Sequence, residues 1–157
     1  MAEPSVNEDF VDLVAAFRLE GVEYLIVGAH ALAVHGVPRA TGDLDVLVRP
    51  TAENARRVMT ALRRFGAPVA AHGVREADFA TPGAVYQIGL PPRRIDVLTS
   101  ISGVDFDTAW ATRTRATMGA ETVNVIGRDA LLANKRASGR DKDLLDVRVL
   151  EEQRPRK

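Results

Sequence analysis

Two apolar runs in this chain carry carboxylates where a core strand would normally carry none. Asp43-Leu44-Asp45-Val46-Leu47-Val48 opens with two acids one residue apart, and Ile95-Asp96-Val97-Leu98 holds a single acid among apolar residues. Side chains alternate across a strand, so Asp43 and Asp45 share one face while Leu44, Val46 and Val48 share the other. A lone charge inside an apolar strand is costly unless it is paired or binds a metal. Taken alone, the Asp-x-Asp pair also reads as a charged strand end that discourages edge-to-edge pairing. Asp96 shifts the balance: if its strand lies beside the first, three carboxylates form one cluster. Such a cluster repels itself unless a cation sits within it. Mg²⁺ suits that role, because it takes one or two protein carboxylates and completes its shell with water and substrate phosphates. Three acids could hold two such ions, one orienting a phosphate and one activating a hydroxyl. An aspartyl nucleophile of the phosphatase type fits less well, since here the apolar residues follow the acid pair.

Around these runs the pattern alternates unevenly between helix and strand. Residues 6–20 place Phe10, Leu13, Val14 and Phe17 at helical spacing with acids in the first turn, and Gly21 ends the helix. Residues 24–27 predict a strand, 29–35 a brief alanine-rich helix, and Gly36, Pro38 and Gly42 a loop. Thr51 predicts the N-cap of a helix that carries Val58, Met59, Leu62 and Phe65 and closes at Gly66. Residues 68–83 read as irregular. Strands are expected over 84–90 and 94–99, a short helix with Trp110 over 105–112, a last strand over 122–126, and two helices over 128–138 and 142–153 joined through Gly139. The expectation is a single α/β (α+β) domain over residues 1–157, a mixed sheet flanked by helices, with 1–5 and 154–157 frayed.

Composition narrows the chemistry. The 157 residues balance 21 lysines and arginines against 21 aspartates and glutamates, so any polyanion site must be local. The absence of cysteine excludes disulfides, thiol catalysis and thiolate zinc sites. The acidic start does not read as a signal peptide and the apolar runs are short of a membrane span, so the expected location is the cytoplasm, with no membrane partner. A strand running into Gly28 and then a helix offers backbone N–H groups to a phosphate at close range.

The ordered segments V-G-A-H-A-L-A-V-H-G, R-A-T-G-D-L-D-V-L-V and R-I-D-V-L resemble the minimal nucleotidyltransferases of the DNA polymerase beta superfamily. The ending N-K-R-A-S-G-R-D-K-D-L-L-D-V-R-V-L is similar to that of the small AbiEii-like and DUF6036-type members, several of which belong to toxin–antitoxin or phage-defence systems. The resemblance spans residues 24–150. It implies a nucleotidyltransferase fold in which the Gly28-Ala29 turn holds the triphosphate, and Asp43 and Asp45 bind Mg²⁺ (or Mn²⁺). Asp96 would help bind metal and orient or deprotonate the acceptor hydroxyl. The implied reaction moves a nucleoside monophosphate from an NTP to an acceptor hydroxyl on a tRNA, a protein or a small molecule, with pyrophosphate leaving. The turn carries Ala29 where the family usually has a second glycine or a serine.

Arg39 and Thr41, in the loop before Asp43, are placed to touch phosphate or acceptor. Lys135 and Lys142 are expected to contact the nucleotide, with Asp143 and Asp146 orienting them; the bland alternative is a solvated helix face with weak ion pairs. The histidines read as capping or packing residues. An antitoxin or HEPN-type partner belongs to the same resemblance. The rival function is a non-catalytic nucleotide-binding module that keeps the fold.

Overall fold

The computed structural model describes residues 7–37 and 42–153. Six helices, α1 (Glu8–Leu19), α2 (Gly28–Val34), α3 (Ala52–Phe65), α4 (Phe106–Ala111), α5 (Arg128–Ser138) and α6 (Asp141–Glu152), flank a mixed sheet. Its strands are β1 (Tyr24–Val27), β2 (Leu44–Val48), β3 (Val85–Ile88), β4 (Ile95–Leu98), β5 (Thr114–Met118) and β6 (Glu121–Val125), in the spatial order β3-β4-β2-β1-β6-β5. The β1–β2, β3–β4 and β5–β6 pairs are antiparallel, whereas β2–β4 and β1–β6 are parallel. No described helix is long and apolar enough to cross a membrane.

Local signals explain most of these elements. Asn7 caps α1 by accepting from the backbone N–H groups of Asp9 and Phe10, and Thr51 caps α3 by accepting from Asn54. Gly66 closes α3 in the left-handed conformation at φ 96°. Register sorts the sheet into two faces. Tyr24, Ile26, Val46, Val48, Val97 and Tyr86 fall on one, where Phe17 of α1 meets Tyr24 and Phe79 meets Tyr86. Asp45, Asp96, Val27 and Gln87 fall on the other.

Two elements differ from expectation. Residues 68–83 are turns, as expected, but contain a 3-10 turn, Glu76–Phe79, stapled by the Arg75 N–H donating to Asp78 Oδ2 at 2.8 Å. Strand β5 has no counterpart in the sequence reading: along Thr-Arg-Ala-Thr-Met only Met118 is buried, so the strand carries little apolar alternation of its own. It is an edge strand, held by its hairpin to β6.

The frame that fixes the acid-bearing strands is polar. Asn54 is buried, its side-chain oxygen accepts from the Glu23 N–H at 2.8 Å, and its amide donates to the carbonyls of Glu23 and Arg49 at 3.0 Å each. One side chain on α3 therefore ties the entry of β1 to the exit of β2. Arg49 adds ion pairs to Glu23 and Asp107 and lies over the Phe106 ring, coupling the same strand exit to α4.

Candidate functional site

Parallel pairing of β2 with β4 puts Asp45 and Asp96 directly opposite each other, with Val46 opposite Val97 on the far face. The Leu44 N–H donates to the Arg94 carbonyl at 2.9 Å, extending the ladder by one step. Asp43 joins at that point, its Oδ1 accepting from the Arg94 N–H at 3.0 Å. The three carboxylates anticipated from the sequence thus converge at the start of two parallel strands and beside the end of β1, where Val27 pairs with Asp45.

The chain then turns without a gap from β1 into α2. Gly28 makes that turn at φ +70°, and a Cβ there would lie inside 3.0 Å of Asp45 Oδ2 and 3.2 Å from its Cγ. Glycine is required twice at this position, once by its backbone and once by the carboxylate packed against it. The sequence reading assigned Gly28 to close approach by a phosphate; in the structure the group packed against it is the Asp45 carboxylate.

Electrostatics at the cluster are strained. Burial, then the charges of Asp96 and Asp43 and a hydrogen bond shared with Asp96, push the Asp45 carboxyl up to about 6, with Arg94 acting in the opposite direction. The Arg94 guanidinium donates from Nε to Asp96 Oδ1 at 2.8 Å and from Nη2 to Asp96 Oδ2 at 3.2 Å, and Nη2 lies 3.4 Å from Asp43 Oδ2. Arg94 was not singled out from the sequence. Its position two residues before Asp96, hence on the same strand face, was the available signal. Among the described residues, no group of three or more His, Cys, Asp or Glu side chains is arranged to hold a metal ion as it stands. The donor set nonetheless fits Mg²⁺ chemically: three carboxylates give hard oxygen donors, and their mutual repulsion calls for a cation.

The closing helices hold a second charged group. Lys135, expected to face the nucleotide, is buried, and its Nζ donates to Asp143 Oδ1 at 3.3 Å and to Asp146 Oδ2 at 3.1 Å. Asp143 and Asp146 therefore hold Lys135, as expected of them, but inside the α5–α6 contact. Arg140 lies on the rim, its Nε donating to Asp143 Oδ2 at 2.7 Å. Burial works against the Asp143 carboxylate, yet the hydrogen bonds from Arg140 and Lys135 hold its pKa below the ordinary value. Arg140 also feels the charge of Asp45, which brings the α5–α6 junction into electrostatic range of the carboxylate cluster. Lys142 is exposed on α6. Arg39 and Thr41 lie outside the described residues.

The histidines do the packing work expected of them. His35 Nε2 is 2.7 Å from the Ile126 carbonyl, His72 Nδ1 is 2.9 Å from the Tyr86 hydroxyl, and His30 meets the Phe10 ring edge-on. A cavity of about 790 Å³ opens near His30, Phe10, Gly42, Arg93 and Met118, but none of the three carboxylates lines it. The three carboxylates sit at the strand ends, outside that lining.

Comparison with solved structures finds the same overall fold. The antibiotic-resistance factor ANT(2'')-Ia superposes with a TM-score of 0.61 at 13% identity, covering 91% of this chain and 80% of that one. The fold is that of the nucleotidyltransferases. TM1012 from Thermotoga maritima, a proposed nucleotidyltransferase, matches this nucleotidyltransferase-fold chain with a TM-score of 0.59 at 12% identity, covering 96% of this chain and 97% of that one. The lincomycin-bound lincosamide antibiotic adenylyltransferase LnuA matches with a TM-score of 0.56 at 12% identity, covering 96% and 99%. No protein-family model matches the sequence. No curated protein matches it either.

Proposed function

We propose that this protein is a metal-dependent nucleotidyltransferase that moves a nucleoside monophosphate from an NTP to an acceptor hydroxyl. The observation that supports the reading most strongly is the convergence of Asp43, Asp45 and Asp96 on one face of the sheet, against the Gly28 turn. Asp43, Asp45 and Asp96 would hold Mg²⁺ or Mn²⁺, which when bound neutralises charge on the triphosphate and on the carboxylates. The backbone at Gly28 and Ala29 would seat the phosphates, with Arg39 and Thr41 as further contacts. Asp96, buried and opposite Asp45, would orient the acceptor hydroxyl or take its proton as the hydroxyl oxygen bonds to the α-phosphorus and pyrophosphate departs. Lys135 and Lys142 complete the proposed nucleotide set in different ways: Lys135 acts at one remove, by fixing Asp143 and through it Arg140, and Lys142 acts from the exposed face of α6.

A tRNA, a protein or a small molecule can supply the hydroxyl; two neighbours in fold are an adenylyltransferase of lincosamide antibiotics and an antibiotic-resistance factor. The AbiEii-like and DUF6036-type resemblance extends the proposal to a toxin–antitoxin or phage-defence role with an antitoxin or HEPN-type partner. The second reading, a nucleotide-binding module without catalysis, is favoured by one feature: Arg94 already neutralises part of the cluster.

The deciding experiment follows Mg²⁺-dependent transfer of label from each α-³²P-labelled NTP to total tRNA, whole-cell protein and a panel of hydroxylated antibiotics. Label that vanishes in both Asp43→Ala and Asp45→Ala establishes the transferase and its acceptor class. Metal-dependent NTP binding with no label on any acceptor supports the binding module instead.

A further inference from the structure

We infer that Arg94 is a built-in counter-ion of the carboxylate cluster that competes with a metal ion for Asp43 and Asp96 and must swing aside before the site can be loaded. The inference rests on the metal-dependent reading of the carboxylates, but concerns a residue that reading does not use. Arg94 engages all four oxygens of two carboxylates. Its backbone N–H and Nη2 address Asp43 Oδ1 and Oδ2 at 3.0 and 3.4 Å, and Nε and Nη2 address Asp96 Oδ1 and Oδ2 at 2.8 and 3.2 Å. Asp45, directly opposite Asp96 and two residues beyond Asp43 on the same face, feels the charge of both and shares a hydrogen bond with Asp96, with Arg94 offsetting only part of that charge. A divalent ion coordinated by Asp96 must therefore compete with two guanidinium hydrogen bonds, and one coordinated through Asp43 Oδ2 with the guanidinium ion pair.

The fold allows that competition to be settled by the side chain alone. The Arg94 carbonyl accepts from the Leu44 N–H at 2.9 Å and its N–H donates to Asp43, so the backbone is pinned in the β2–β4 ladder. The side chain is 28% exposed, whereas that of Asp96 is 12% exposed, so the guanidinium has the more open route to solvent. A planar fork suits bidentate capture of one carboxylate while bridging to a second, which an ammonium group does less well. Arg94 thereby keeps a self-repelling cluster folded without metal, and it sets a threshold that the metal must exceed.

Mn²⁺ binding provides the test, read from the loss of the free-ion electron paramagnetic resonance signal and from the Mn²⁺-induced rise in melting temperature. The parent protein is compared with Arg94→Ala and Arg94→Lys. Removing the competing cation is expected to tighten Mn²⁺ binding about tenfold in Arg94→Ala, equivalent to about 1.4 kcal/mol. Arg94→Lys, which keeps the charge without the fork, should fall between the two and covers the case in which the alanine variant does not fold. The metal-free melting temperature should drop in Arg94→Ala and be recovered by Mn²⁺ to a greater extent than in the parent. Equal or weaker Mn²⁺ binding by both variants overturns the inference while leaving the metal site intact. Absence of Mn²⁺ binding in all three chains overturns the metal reading and this inference with it. Tighter binding without nucleotidyl transfer supports the role of Arg94 and counts against the catalytic proposal alone.

Discussion

Replacing Gly28 by alanine separates two costs that usually arrive together. The first is conformational: at φ +70° an L side chain is disfavoured by about 1–2 kcal/mol. The second is the collision of the new Cβ with Asp45, inside 3.0 Å of Oδ2, which by analogy with overpacked cores adds about 1–3 kcal/mol. Gly66 supplies the control, since it has φ +96° and nothing within 4 Å of its notional Cβ. Gly66→Ala should therefore lose only the conformational part, a melting-temperature drop of about 2–8 °C at roughly 2–4 °C per kcal/mol. Gly28→Ala should lose two to three times as much. In an Asp45→Ala background most of the excess should vanish, because the atom it collides with is gone; the double-mutant cycle then reports the contact itself. The assay is thermal unfolding of the four single and double variants, alongside NTP transfer. Transfer should fall about a hundredfold in Gly28→Ala, the scale expected when a catalytic group is displaced by about an ångström, and be unaffected in Gly66→Ala. A Gly28→Ala variant no less stable than Gly66→Ala, or an excess that persists without Asp45, would refute the argument that the glycine is there for the carboxylate.

Asp45→Asn should stabilise the metal-free protein at neutral pH while abolishing transfer. Because the folded pKa of about 6 lies above the ordinary 3.8, the parent loses stability as pH rises from about 4 through 6, by roughly 2–3 kcal/mol. Unfolding of parent and variant should therefore agree near pH 4 and diverge by pH 7.5, and parallel curves would contradict the assignment. Lys135→Met leaves Asp143 and Asp146 buried without their shared ammonium and should cost about 3–5 kcal/mol; a variant of unchanged stability with only a raised KM for NTP would instead make Lys135 a direct nucleotide contact. Lys142→Ala, on an exposed helix face, should change stability by no more than about 0.5 kcal/mol, measured by denaturant unfolding.

The sequence made the site's carboxylates legible because a charge is conspicuous in an apolar strand. Asp45 and Asp96 needed no structure to be noticed, only the register to be joined. Helices α1 and α3 were equally plain, since an apolar stripe and a terminal glycine agree in both, with early acids in α1 and the Thr51 cap in α3. What stayed hidden depends on partners distant in the chain. Lys135 looks like any basic residue near a helix end, and only the packing of α5 on α6 brings two carboxylates three residues apart onto its Nζ. Arg94 was passed over, although its spacing from Asp96 already put both on one strand face. Strand β5 was invisible because its neighbour, rather than its own pattern, makes it a strand.

The register of β2 on β4 acts as a form of proofreading. Asp45 lies opposite Asp96 only in the register that also stacks Val46 on Val97 and Leu47 on Leu98. A slip of one residue would swing Asp96 to the face now lined by Val46 and Tyr86, driving a carboxylate into the core and an apolar side chain into the site. A chain that pairs these strands wrongly is thus not a folded but inactive protein; it is an unfolded one. Chains that complete the sheet have assembled their carboxylates in the same step.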